Sequence, residues 1–130
     1  MKSSDIKFYF SKAREISFLS DFKRSRHGSV LVHNKNIISM AHNRGKVFVE
    51  FTKKKFDSDQ SLHAEIGAIL KVKNKKILKD CSLFVYRERS DGSISNSMPC
   101  ETCIRILKSF GISNVFYSYE NKEGYKEEWI

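Results

Sequence analysis

The hydrophobic period of this chain switches repeatedly between that of helices and that of strands, and no other feature restricts its fold as strongly. Over residues 5–23, Ile6, Tyr9, Phe10, Ala13, Ile16 and Leu19 or Phe22 recur at steps of three and four, with Ser4 or Asp5 placed to cap, which predicts a first helix. The runs 28–32 and 37–41 are β-branched and apolar around the polar segment His33-Asn34-Lys35-Asn36, the pattern of a hairpin. Residues 45–60 keep no sustained period and read as a loop, in which Val47-Phe48-Val49 could add a short strand ahead of Lys53-Lys54-Lys55. Helical spacing returns over 61–73 through Leu62, Ile66, Ile69, Leu70 and Val72, with lysines on the other face. A strand follows over 82–86 and a polar loop over 87–98. A helix over 99–110 then opens on Pro99 and stops at Gly111, and a last strand covers 114–119.

The order helix-strand-strand, then helix-strand twice, calls for an α/β fold with a central mixed sheet of about four or five strands and helices packed on its faces. Hairpin partners run antiparallel, whereas strands joined through a helix run parallel. At 130 residues the chain is expected to be a single domain over 1–130, ending in an acidic, aromatic tail over 120–130. Tyr125 and Trp129 of that tail are expected to dock on the core, with a ring over a binding pocket as the second option.

Hydrophobic residues make up 40% of the chain, which is enough to build one core and excludes disorder for most of its length. The longest apolar stretches, 30–32 and 64–70, fall far short of the roughly 18 residues a membrane span needs, so no membrane partner is expected. Met1 to Asp5 shows no secretory signal, and the expected compartment is the cytosol. The formal charge of +9 points to anionic partners such as nucleotides, single-stranded nucleic acid or acidic surfaces. The plainer reading is a lysine-rich solvated surface.

Two short segments carry the chemistry: His63-Ala64-Glu65 and Pro99-Cys100-Glu101-Thr102-Cys103, each at a predicted helix start. Cys100 and Cys103 share a helix face and can hold one ion, with His63 as the best candidate for a third ligand. A helix N-terminus carries partial positive charge, which favours the thiolates that zinc binds. Three protein ligands leave one tetrahedral position open for water, the mark of a catalytic zinc. Glu65, two residues past His63, converges with it only if the ion sits off the first helical turn, where the carboxylate is placed to move protons for hydrolytic deamination. Two alternatives remain at this point. A Cys-x-x-Cys pair is also a redox motif, and a closed structural zinc would take a fourth ligand from Cys81, His27, His33 or His42. Cys81 otherwise reads as a small buried residue, and the three histidines as turn or hydrogen-bonding residues, with His42 able to line a pocket.

Taken together, the two segments resemble the zinc-dependent cytidine and deoxycytidylate deaminase superfamily, whose pattern is H-x-E followed by P-C-x-x-C. The resemblance implies a three-layer domain with helices on both faces of the sheet, Zn2+ held by His63, Cys100 and Cys103, and Glu65 as the catalytic proton shuttle. It further implies substrate contacts from Asn43 and from the backbone near Ala64 and Met98, the last standing where Ser or Glu is more usual. The expected substrate is a cytosine nucleoside or nucleotide, with ammonia released, and assembly into a homo-oligomer is expected on the same ground. The rival readings are a deaminase of cytosine or adenine in single-stranded DNA or RNA, and a zinc-stabilised nucleic-acid-binding module without turnover.

Overall fold

A computed structural model describes residues 2–20, 25–43, 47–49, 54–56, 63–119 and 122–130. Helix α1 spans Ser3–Ser17 and hands over to the antiparallel hairpin β1 (Ser25–His33) and β2 (Asn36–His42). Asn34 and Lys35 turn that hairpin with φ of 49° and 65°, as a tight two-residue connection requires. The Tyr9 hydroxyl donates to the Lys35 carbonyl at 2.7 Å and ties the turn to α1. A separate two-stranded ribbon, β3 (Val47–Val49) with β4 (Lys54–Phe56), lies where a loop with one optional strand is expected. Helix α2 (Ala64–Lys71) and a 3-10 turn over Lys75–Asp80 lead into β5 (Cys81–Arg89), the short β6 (Ile94–Ser95), α3 (Glu101–Ser109), β7 (Asn114–Tyr119) and β8 (Lys122–Trp129).

The main sheet has six strands in the order β2-β1-β5-β7-β8, with β6 paired to β5. Strands β5 and β7, joined through α3, are parallel neighbours, while β1 is antiparallel to both β2 and β5. The sheet is therefore mixed, as expected, and larger by β6 and β8. Its central strands β1, β5 and β7 are covered on both faces, so they read as near-continuous apolar runs rather than alternations. In β5, Phe84 and Tyr86 pack toward α1 with Ile6, Tyr9, Ala13 and Phe116. Leu83 and Val85 pack the other way, with Ala68 and Ile69 of α2 and Leu107 of α3. This gives three layers: α1, the sheet, then α2 and α3. On the α1 side the approach is so close that a Cβ on Gly28 would overlap the Ala13 carbonyl oxygen, which is why β1 carries glycine there.

Two boundaries depart from the sequence pattern. Helix α1 ends at Ser17, whose hydroxyl turns back to the Arg14 carbonyl at 2.6 Å, and Phe18 and Leu19 form an exposed turn instead of a further helical face. Residues 21–23 of the predicted helix, residues 61–62 of the next, and Lys53 of the basic run lie outside the described residues. The expected tail becomes β8, an edge strand on β7. Tyr125 docks on the α1 side, stacked on Phe10 at 5.5 Å, so it does not cover the zinc-motif side. Trp129, expected on the core, is 71% exposed near the end of the strand, beyond the reach of that aromatic cluster.

Candidate active site

Both motif segments become helix N-termini on the same side of the sheet. His63 is the N-cap of α2, and Cys100 is the N-cap of α3, its sulfur accepting the backbone N–H of Cys103 at 3.5 Å. The N-cap position suits both, because it leaves a side chain free to point past the first turn where helical amides present partial positive charge. The His63 Nδ1 atom lies 3.0 Å from the Cys103 sulfur and 3.7 Å from the Cys100 sulfur. All three donor atoms fall within 4.8 Å of one another, the grouping one tetrahedral ion needs. Among the described residues no fourth histidine or cysteine joins them. Cys81 instead donates to the Ile77 carbonyl at 3.3 Å, and His42 Nδ1 lies 3.1 Å from the Asn43 carbonyl oxygen.

The donor set fits zinc on chemical grounds as well. Burial pushes the Cys103 thiol far above its ordinary value, and the neighbouring Glu65 and Cys100 push in the same direction, so the Cys103 sulfur is held as a thiolate only with a cation beside it. Glu65 is 3% exposed, and its Oε1 has no hydrogen-bond partner. Burial raises its carboxyl group, with the His63 charge acting the other way. A buried carboxylate with an unsatisfied oxygen is expensive to keep for packing alone, and it is what a proton-moving group facing a ligand looks like before the ligand arrives.

These groups face a cavity of about 330 Å³ lined by Ser25, His27, Asn43, His63, Glu65, Arg87 and, from the segment before α3, Asn96, Ser97, Met98 and Cys100. The cavity lies in the size range of sites for small molecules. Asn43 sits at its wall, 3% exposed. Its Oδ1 accepts from the His27 N–H at 3.0 Å and from the Ser20 hydroxyl, while its Nδ2 donates to the Ser25 carbonyl at 3.0 Å. Most of the amide thus fastens the end of β2 to the start of β1, and one N–H remains for a ligand. Ala64 is fully buried outside the cavity lining, its carbonyl receiving the Ser29 hydroxyl at 2.7 Å. Met98 lines the cavity, with its N–H bound to Asn96 Oδ1 at 2.8 Å.

Ser25, Arg87, Asn96 and Ser97 of the lining carry no sequence signal as site residues, and His27 reads in the sequence only as a turn or hydrogen-bonding residue or an optional fourth metal ligand. His27 faces the cavity where His42 does not, and burial, then the Arg87 and His63 charges, lower it to about 3, so it stands neutral. Ser97 is buried, its hydroxyl donating to the Val85 carbonyl at 2.7 Å and its N–H to the Ser118 carbonyl at 2.9 Å. That stitching fixes the segment that delivers Cys100, and the polar run 87–93 gives no sign in the sequence that 87–98 is not a free loop.

A three-layer α/β domain with a His-Cys-Cys cluster at two helix N-termini and a buried carboxylate beside it has the donors and the proton-moving group of a zinc hydrolase. Residues 3–119 match the cytidine and deoxycytidylate deaminase zinc-binding region, and the chain belongs to that family of zinc-dependent deaminases. Solved structures agree on the fold. The dCMP deaminase of the cyanophage S-TIM5 in apo form has a TM-score of 0.67 at 23% identity, covering 88% of this chain and 82% of that one. The same enzyme in complex with dCMP and dUMP gives 0.66 at 22% identity, covering 88% and 81%. The cytidine deaminase of Burkholderia pseudomallei gives 0.68 at 13% identity, covering 99% and 93%. No curated protein matches the chain in sequence.

Proposed function

We propose that this deaminase hydrolyses the exocyclic amine of a free cytosine nucleotide or nucleoside, converting cytosine to uracil and releasing ammonia. The observation that carries the reading is the buried Glu65 carboxyl, its Oε1 without a hydrogen-bond partner, lining the same small cavity as His63 and Cys100, with Cys103 completing the donor group. Zinc held by those three residues supplies an acidified water and a Lewis acid. Glu65 would take one proton from the attacking water and pass it to the ring nitrogen, then take the second from the hydroxyl so added and give it to the amine, so that the C–N bond breaks, ammonia leaves and the new C–O bond becomes the carbonyl. Its burial raises its proton affinity toward what a group that both accepts and donates requires.

In this reading the remaining Asn43 N–H meets the sugar or base and the backbone at Met98 borders the base, while Ala64, outside the cavity lining, acts through the backbone it shares with His63 and Glu65. Asn43 is above all a positioning residue, because its other bonds hold His27 and Ser25 in the cavity wall. Thiolate ligands such as Cys100 and Cys103 persist in a reducing compartment, and the cytoplasm is the location this reading calls for. The test is ammonia release by the zinc-loaded protein from a panel of cytosine and adenine nucleosides, nucleotides and single-stranded oligonucleotides. Turnover of free cytosine compounds is expected. Turnover confined to oligonucleotides, or to adenine, would sink the reading.

A further inference from the structure

Arg87 is the one lysine or arginine in the described lining of the cavity. It projects from β5 opposite His27 of β1, and its Nε–H donates to the Ser25 hydroxyl at 2.6 Å. None of the ion pairs among the described residues involves it, whereas the next charged residue, Glu88, faces the other side of the strand toward Arg14 at 3.5 Å. With Nε anchored, the guanidinium plane is held and its terminal nitrogens remain as a planar fork, the shape that grips phosphate oxygens in pairs. A half-buried cation that makes no ion pair among the described residues costs solvation that neutral sugar hydroxyls do not restore, while an anion brought in by the ligand does.

We propose that the Arg87 guanidinium binds the phosphate of the substrate, which makes the chain a nucleoside monophosphate deaminase in preference to a nucleoside deaminase. The inference rests on the cytosine reading above and names the substrate class within it. Ser25 orients the fork, and the β1–β5 pairing fixes its place in the cavity wall.

The experiment compares zinc-loaded wild type, Arg87→Ala and Arg87→Lys, with zinc content and circular dichroism confirming the fold of each. kcat/KM is measured for deoxycytidylate and deoxycytidine, and binding of deoxyuridylate and inorganic phosphate is followed by calorimetry. Wild type is expected to prefer the nucleotide. Arg87→Ala is expected to lower the nucleotide-to-nucleoside ratio about 10- to 100-fold, mainly through KM, and to weaken deoxyuridylate binding by a similar factor. Arg87→Lys should recover part of both. A wild type that favours deoxycytidine, or a ratio unchanged in Arg87→Ala while both activities fall, would overturn the assignment and leave Arg87 a positioning residue for Ser25 and His27. A single-stranded oligonucleotide turned over better than deoxycytidylate would overturn it too, since the phosphate would then belong to a polymer. If Arg87→Ala does not fold, competitive inhibition of wild type by inorganic phosphate and its weakening in Arg87→Lys decide the matter in the same directions. Should wild type deaminate no cytosine compound while deoxyuridylate binding still depends on Arg87, the deamination reading fails and the phosphate site stands.

Discussion

On the α1 side of the sheet, Phe84 stacks on Phe116 with ring centroids 4.5 Å apart, Tyr9 and Phe10 pack against Phe84 from the helix, and Tyr125 closes the group from β8. On the other side the core is aliphatic, built of Leu83, Val85, Ala68, Ile69 and Leu107, and at one end it gives way to histidine, cysteine and a buried carboxylate. The contrast shows a division of labour across a single strand. In β5, residues 84 and 86 serve the packed side while Arg87 serves the cavity, so stability and chemistry are drawn from alternate positions of the same ladder. If that is right, changes on one side should unfold the protein while leaving its chemistry intact in what stays folded, and changes on the other should do the reverse.

The strongest break comes from removing the metal donors. Cys100→Ser together with Cys103→Ser should take zinc from about one per chain to none and abolish deamination, read by elemental analysis and ammonia release. Unchanged zinc in that double variant would place the metal elsewhere. Glu65→Gln comes next: deamination should fall by about 10²- to 10⁴-fold with zinc and fold kept. Because it swaps an unpartnered buried carboxyl for a neutral amide of the same shape, thermal stability should hold or rise. A Glu65→Gln enzyme that still turned over would show that another group moves the protons. On the packed side, Phe84→Ala should cost about 3–5 kcal/mol of stability by denaturant unfolding. Below its melting range its zinc content and kcat should stay within a few-fold of wild type, and a collapse of kcat in the folded variant would show that the two sides are coupled.

Much of this was legible in the residue pattern because helices and strands with a buried stripe announce their period. The hairpin, α2, α3 and the strand over 114–119 follow it closely, and His63, Cys100 and Cys103 stand at helix starts as their spacing implies. The pattern misled where apolar spacing ran on without burial, as at Leu19, which is 65% exposed past the true end of α1. It failed where charge concealed a strand. Arg87, Glu88 and Arg89 read as a loop, yet they extend β5, because Glu88 is satisfied from inside by the Tyr86 hydroxyl at 2.8 Å and by Arg14. Strand β8 stayed hidden for a related reason: as an edge strand it needs apolar contact on few of its residues, and Glu127 is held by the Asn114 amide at 2.8 Å. The role of Asn43 as a fastener, and that of Arg87, depend on partners brought together from distant strands, which no local spacing encodes.

The placement of His63 and Cys100 at the caps of two different helices also governs how the molecule assembles. The two residues are 37 positions apart, and the chain between them includes all of α2, β5 and β6. An ion shared between them closes a long loop, and tying the ends of such a loop removes on the order of 3 kcal/mol of chain entropy from the unfolded ensemble. The metal centre is thus a topological clasp as well as a reaction centre, and a chain deprived of metal should unfold at lower temperature and lose α2 and α3 from hydrogen-exchange protection before it loses the aromatic side of the sheet.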